Sequence, residues 1–139
     1  MQLTSASTLH LAVTGYIVGL IWVIQLLHYP AFRDIAPERW ASFHHNHISA
    51  MGLLAGPPMV LSLLLAGWCA WKLGDPFSYA ALGCEVVAWV VTFSLSVPAH
   101  NRLASAADPQ TIALLISTNW LRTAAWTIKL LILSVQRIH

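Results

Sequence analysis

Four apolar stretches, each long enough to cross a bilayer, run almost end to end through this chain and leave little sequence between them. A spanning helix takes about 20 apolar residues, and a soluble domain carries roughly a quarter charged residues. Here 58% of the 139 residues are hydrophobic and 9% are charged, too few to cover a soluble surface. The fold class expected is all-α: a transmembrane four-helix bundle with short connections, forming one domain over 1–139. The even number of crossings puts both termini on the same side. The net charge of +2 is scattered and Lys and Arg never cluster, so nucleic-acid binding has no electrostatic basis.

Proline and glycine divide the spans. The first, about 8–29, is expected to end at His28-Tyr29-Pro30, because the residue before proline avoids the helical region. It is too long for a signal-peptide core and has no basic residue before it, so it reads as retained. The second, about 38–73, opens at Pro37, a favoured first-turn residue, and should kink at Pro57-Pro58. Gly74-Asp75-Pro76 is a turn signal. The third, about 77–103, either stops at Pro98 or continues past it with a kink. The fourth, about 109–136, has Asp108 as N-cap and Pro109 in its first turn. Arg33, Arg39 and Arg102 at one end balance Lys72, Lys129 and Arg137 at the other, so the positive-inside rule leaves orientation open. Cys69 and Cys84 read as buried free thiols, with a disulfide as the alternative. The location expected is a bacterial inner membrane, as a multi-pass protein whose partners are the lipid bilayer, a lipophilic small molecule and a second copy of the chain.

Ionisable side chains inside a span cost several kcal/mol unless partnered, which makes their positions informative. Seven histidines occur, and His28, His44, His45, His47 and His100 map to one end of the bundle. His10 and His139 lie near the termini and are expected to be solvated. His44 and His47 are three apart and share a helix face, whereas His45 points about 100° away, toward the interface. Gln25 and His28 are likewise three apart. Along their helices, His44 and His47 lie about 10 and 15 Å from Pro37, and Asn119 and Arg122 about 16 and 20 Å from Asp108. The pattern is a polar funnel, with His28 and His100 at its mouth and Asn119 and Arg122 at its floor. Interfacial histidines that merely suit the headgroup layer are the plain alternative. Glu85 lies level with Arg122 if the third helix stops at Pro98, and level with Lys129 if it runs on. Trp22, Trp89, Trp120 and Trp126 sit within spans, either as packing or as the walls of a pocket.

Short motifs in the second half, VPAHNRL and STNWLRTAAW, join the His-Tyr-Pro end of the first span and FHHNH ahead of Pro-Pro-Met. Together they resemble the DUF1772-like small four-helix membrane proteins, whose best-known members are fungal anthrone oxygenases. The likeness covers most of the chain and is carried by Pro98, His100 and Leu103, with Asn119, Trp120 and Arg122. His100 stands where that family has an asparagine, with Asn101 beside it, and the histidines of the first two helices lie outside its pattern. The resemblance implies a four-helix membrane fold and an oxygenase-type reaction.

The function expected is a membrane-embedded, oxygenase-like enzyme acting on a lipophilic or aromatic substrate. His100, Asn119 and Arg122 would be catalytic, and Gln25, Trp22 and Trp120 would bind the substrate. His28, His44, His47 and His100 would hold a metal ion, Zn, Fe or Cu, since imidazole suits all three. A cofactor-free site and a haem site are the alternatives for the cofactor. Two further functions stay open: a haem or metal carrier without turnover, and a small proton-coupled transporter using Glu85. A structural or assembly subunit is the remaining class.

Overall fold

The computed structural model describes residues 5–136; Arg137 and His139, assigned above to the far end of the chain, lie outside the described residues. Those residues are helical apart from short connections, with no strand among them. The chain forms four helical segments: α1 (Ser5–Asp34), α2 (Pro37–Leu73), α3 (Pro76–Leu103) and α4 (Pro109–Gln136). The first three are long and apolar enough to cross a membrane, at 30, 37 and 28 residues. α4 has 28 residues but is less apolar, because it supplies Asn119, Arg122, Thr123 and Lys129 to the interior.

The connections are short because side chains close the helix ends. The Asp75 carboxylate accepts from the N–H groups of Phe77 and Ser78, as an N-cap does, and from the Ser78 hydroxyl at 2.8 Å. The Gln136 amide at the far end of α4 also donates to it, tying the two helix ends together. Gly74 takes φ +63°, the left-handed conformation that ends α2 and suits glycine. Asp108 caps α4 through the N–H and hydroxyl of Thr111.

Neighbouring helices run antiparallel, as their paired residues show. Tyr16 donates to the Leu54 carbonyl, and Trp22 to Thr127. Trp40 donates to the Leu103 carbonyl at 2.7 Å, while Ser62 meets Glu85 and Arg122 meets Ser96. α1 packs on α4 and on the second half of α2, and α3 packs on those same two. Large apolar side chains face outward on all four: Leu27, Leu53, Leu64, Phe93 and Leu131 are each at least 60% exposed. In water that surface would be a liability; in lipid it needs no cover.

Prolines shape three of the helices. α2 breaks at Ala55 (φ −101°), just before Gly56, and Pro57-Pro58 occupies the first turn of the new helix. The helix is thus interrupted at Ala55, two residues ahead of Pro57, whereas the expected kink lies at the prolines themselves. α1 does not end at Tyr29-Pro30: it continues through a helical turn and a 3₁₀ turn to Asp34. α3 likewise continues past Pro98 to Leu103. In each case a π turn, Ile24–His28 or Thr92–Ser96, directly precedes the proline step. The Tyr29 N–H reaches back five residues to the Ile24 carbonyl, and the Val97 N–H to that of Thr92. The wider turn relieves the clash of the proline ring with the turn before it, so the helix carries on instead of stopping.

The π turns also shift the buried face. In α3 buried positions fall at 78, 81, 85, 88 and 91, then step by five to 96, 99 and 103. In α1 the buried positions across the π turn are Ile21, Ile24, Gln25 and Tyr29. These shifts turn Tyr29, Ser96 and the residues around His100 toward one interior region.

Candidate functional site

That region is a cluster of four imidazoles from three helices. Nε2 of His28 lies 2.7 Å from Nδ1 of His47, and Nε2 of His44 lies 3.3 Å from Nδ1 of His100. The rings of His47 and His100 are 5.1 Å apart between centroids. The Tyr29 hydroxyl shares a 3.1 Å hydrogen bond with Nε2 of His100. Phe32 and Trp40 brace the cluster: Phe32 packs edge-on against His28 and His47, and Trp40 stacks on His44. His44 and His47 are buried on the inner face of α2, while His45 is exposed. All four histidines expected to act together are thus brought together. Their nitrogens face one another in pairs, and among the described residues no group of three or more His, Cys, Asp or Glu is arranged to hold a metal ion.

Deeper in, a chain of polar side chains fixes Arg122. The Gln25 amide donates to the Ile116 carbonyl, which orients its oxygen toward the Asn119 amide at 2.8 Å. The Asn119 oxygen then accepts from Arg122 at 3.2 Å, and the Ser96 hydroxyl accepts from the same Arg122 nitrogen. The guanidinium also lies 5.1 Å from the Trp126 ring centroid. Arg122 is 7% exposed and Asn119 fully buried.

A cavity of about 360 Å³ opens beside the cluster. Tyr29, His47, His100 and Arg122 form its polar end, and Met51, Met59, Trp89 and Phe93 are among its apolar walls. Nε2 of His47 and Nε of Arg122 are buried and have no hydrogen-bond partner, and both residues are among those lining this cavity. A second pocket of about 250 Å³, lined by His44, His45, His100 and Asn101, lies on the other side of the cluster. His100 lines both.

Gln25 and Asn119 do not line the larger cavity; they position Arg122. Trp22 and Trp120, expected to bind substrate, pack edge-to-face at 5.6 Å on an exposed face of α1 and α4, away from the cavity. Tyr29 reads in the sequence only as a helix end, although it follows Gln25 by four residues and so shares its helix face.

Below this lies a second polar centre. Lys129 and Glu85 form an ion pair with both side chains 0% exposed, and it is the one ion pair among the described residues. Ser62 accepts from Lys129 at 2.7 Å and donates to Glu85 at 3.0 Å, and the Trp89 indole donates to the other carboxylate oxygen. Because α3 continues past Pro98, Glu85 pairs with Lys129, and Arg122 has no carboxylate partner among the described residues. His10 corrects the expectation of a solvated terminal histidine: it is 1% exposed, and neither ring nitrogen has a partner. It falls in register with Thr14 and Ile17 on the inner face of α1. Cys69 and Cys84 are free thiols.

Helices apolar enough for a membrane, surrounding a buried histidine cluster and a braced arginine, thus describe the protein's class. No known family matches the chain, and no curated protein or solved structure does so either.

Proposed function

We propose that the protein crosses the membrane four times as a four-helix bundle with both termini on the same side, and is an enzyme acting on a lipophilic molecule through an oxygen atom of that molecule. One observation carries the reading: His47 and Arg122, each with an unpartnered buried nitrogen, both line a single apolar cavity. Buried polar groups are normally satisfied, so a ligand that supplies the missing acceptor fits this wall. The cavity falls within the usual range of about 300–1,000 Å³ for small-molecule sites. For α4, the support is its outward apolar stripe at Leu114, Leu121, Ile128 and Leu131.

The residues support acid–base chemistry. Each neutral imidazole has one nitrogen that can accept a proton and one that can give it up. The pairs His44–His100 and His28–His47, with Tyr29, offer a proton route between the polar pocket and the apolar cavity. Proton removal from the substrate leaves negative charge on its oxygen, and Arg122, fixed beforehand by Asn119 and Ser96, stabilises it. The resemblance of VPAHNRL and STNWLRTAAW to anthrone oxygenases makes oxidation of that anion by dioxygen the reaction class we favour. Native mass spectrometry of the wild type and Arg122→Gln tests the reading. A lipophile carried by the wild type and lost from the variant supports it. A wild type that neither carries nor takes up any oxygenated lipophile sinks it.

A second reading rests on the closeness of the four imidazoles, with centroids 4.8–6.2 Å apart for the pairs His28–His47, His44–His47, His44–His100 and His47–His100. Modest ring rotations would aim several nitrogens at one ion. Elemental analysis of the wild type and His47→Ala decides it: a stoichiometric metal absent from the variant favours this reading, and no metal in the wild type ends it. A Soret band would make the ligand haem.

A further inference from the structure

The larger cavity has one charged residue on its wall, Arg122, and an open side made of apolar residues. Ile48 and Val60 of α2 and Phe93 and Val97 of α3 line it and are each more than a third exposed. They face outward like the lipid-facing residues around them, so the opening leads sideways into the hydrocarbon layer. Gly52 and Gly56 also line it, and a Cβ built on either meets nothing within 4 Å. These glycines leave a slot open; they do not accommodate a neighbouring helix.

At the inner end, charge is unbalanced. Arginine stays protonated, and the described partners of Arg122 are all neutral: Ser96, Asn119, the Tyr29 hydroxyl and the face of Trp126. The one acid–base ion pair among the described residues belongs to Lys129 and Glu85. When His28 donates to Nδ1 of His47, the neutral His47 ring carries its proton on Nε2 and has a donor to spare. Two side chains that each hold an unmatched donor, one of them charged, then line an apolar space open to lipid.

We infer that the occupant is a lipid-phase carboxylate, an acyl-chain acid that enters between α2 and α3. Its two oxygens answer the two donors, its single negative charge balances Arg122, and its chain lies over Met51, Met59 and Phe93. A neutral lipophile leaves the charge unmatched. A phospholipid headgroup brings more polar surface than these walls can satisfy. This rests on the proposed function only for the cavity itself: it names the occupant there, and since a carboxylate already carries its charge, the proton-removal and oxidation steps are not assigned to it.

The test uses the full chain in nanodiscs, titrated with dodecanoate, methyl dodecanoate and dodecanol against empty discs, with tryptophan fluorescence as readout because Trp89 lines the cavity. Dodecanoate is expected to bind roughly ten-fold tighter than the ester, the scale of a charge-assisted contact. Gly52→Leu, which fills the slot, should weaken it by a similar factor, while Gly19→Leu, exposed and outside the cavity, should not. Arg122→Gln should abolish the preference for the acid. An ester that binds as tightly as the acid, with both lost in Gly52→Leu, overturns the carboxylate and leaves the proposed function standing. Acid binding unchanged in Gly52→Leu overturns the sideways slot. No binding of any of the three overturns both the inference and the reading beneath it.

Discussion

Replacing Lys129 by methionine removes one half of an ion pair that is sealed from the surroundings. Taking one partner from a buried pair costs about 3–5 kcal/mol, because the remaining charge is stranded. Here the stranded Glu85 keeps two neutral donors, the Trp89 indole and the Ser62 hydroxyl, each at 3.0 Å. A retained hydrogen bond to a charged group contributes about 1.5–3 kcal/mol, so the loss should fall near the lower figure, about 3 kcal/mol. In a chain of this length that is a melting point lower by roughly 6–12 °C. The Glu85→Gln, Lys129→Met double variant has no charge to strand, and its amide oxygen still accepts from Trp89 while its NH2 donates to the Ser62 hydroxyl. It should lie within about 1 kcal/mol of the wild type. The assay is reversible unfolding in mixed micelles, followed by circular dichroism and completed as a double-mutant cycle. A double variant as unstable as Lys129→Met alone would refute the reasoning, since the cost would then lie in lost packing and not in charge. A stable double variant also separates functions: a proton-coupled transporter that uses Glu85 would lose transport in it, whereas the site around His47 and Arg122 would keep its ligand.

Three further outcomes are expected from the geometry. Desolvation raises the pKa of Asp75, but hydrogen bonds from Ser78, Phe77 and Gln136 outweigh it and hold the carboxyl below the usual range. Its stabilising contribution is therefore complete above the unfolded value of about 3.9 and is lost as the pH falls through the folded value. Asp75→Ala should cost about 1 kcal/mol at pH 7 and lessen the loss of stability between pH 5 and pH 3; a variant with undiminished acid sensitivity counts against this. His10→Leu should leave the melting temperature equal or higher, because it replaces a buried, unpartnered imidazole by an apolar side chain; a clear drop would mean that the ring has a partner in the membrane. Trp40→Phe keeps the packing on Phe32 but strands the buried Leu103 carbonyl, at a cost of about 1–3 kcal/mol, and should loosen the His44–His100 contact, visible as shifted histidine NMR signals.

Much of this arrangement is written in simple patterns. The apolar runs locate all four helices, and Gly74-Asp75-Pro76 and Asp108-Pro109 mark two of the breaks by ordinary capping chemistry. The three-residue spacing of His44 and His47, and of Gln25 and His28, puts each pair on one face, and the structure has His28 against His47 and Gln25 against Asn119. The outcome at a proline inside a helix is not legible in the same way. Pro30 has the marks of an end and Pro98 can be read either way, and the partner of Glu85 depends on that choice. The π turns are not signalled by any residue type; the one in α3 appears only as a step of five in the buried positions. His10 is obscured for a different reason: nearness to a terminus suggests exposure, although its spacing to Thr14 and Ile17 already puts it on the inner face.

The same π turns explain how so apolar a protein tolerates so many polar groups at one level. A regular helix presents one stripe to its neighbours, and continuing it unchanged would keep α3's inner face in the register of Glu85 and Ala88. One extra residue in the turn rotates the remainder of the helix by about 100°. Above the turn, α3 therefore presents Ser96 and Ala99 inward and His100 toward His44, while below it Glu85 faces Lys129. α1 does the same at the same level, with His10 and Thr14 inward below and Tyr29 inward above. The two polar centres are thereby kept separate, with Ile17, Ile21, Met59 and Trp126 in the apolar core between them. In one centre the charges neutralise each other completely. In the other, Arg122 has no counter-ion among the described residues, and that asymmetry is why we propose the histidine–arginine centre, and not the ion pair, as the place for a ligand.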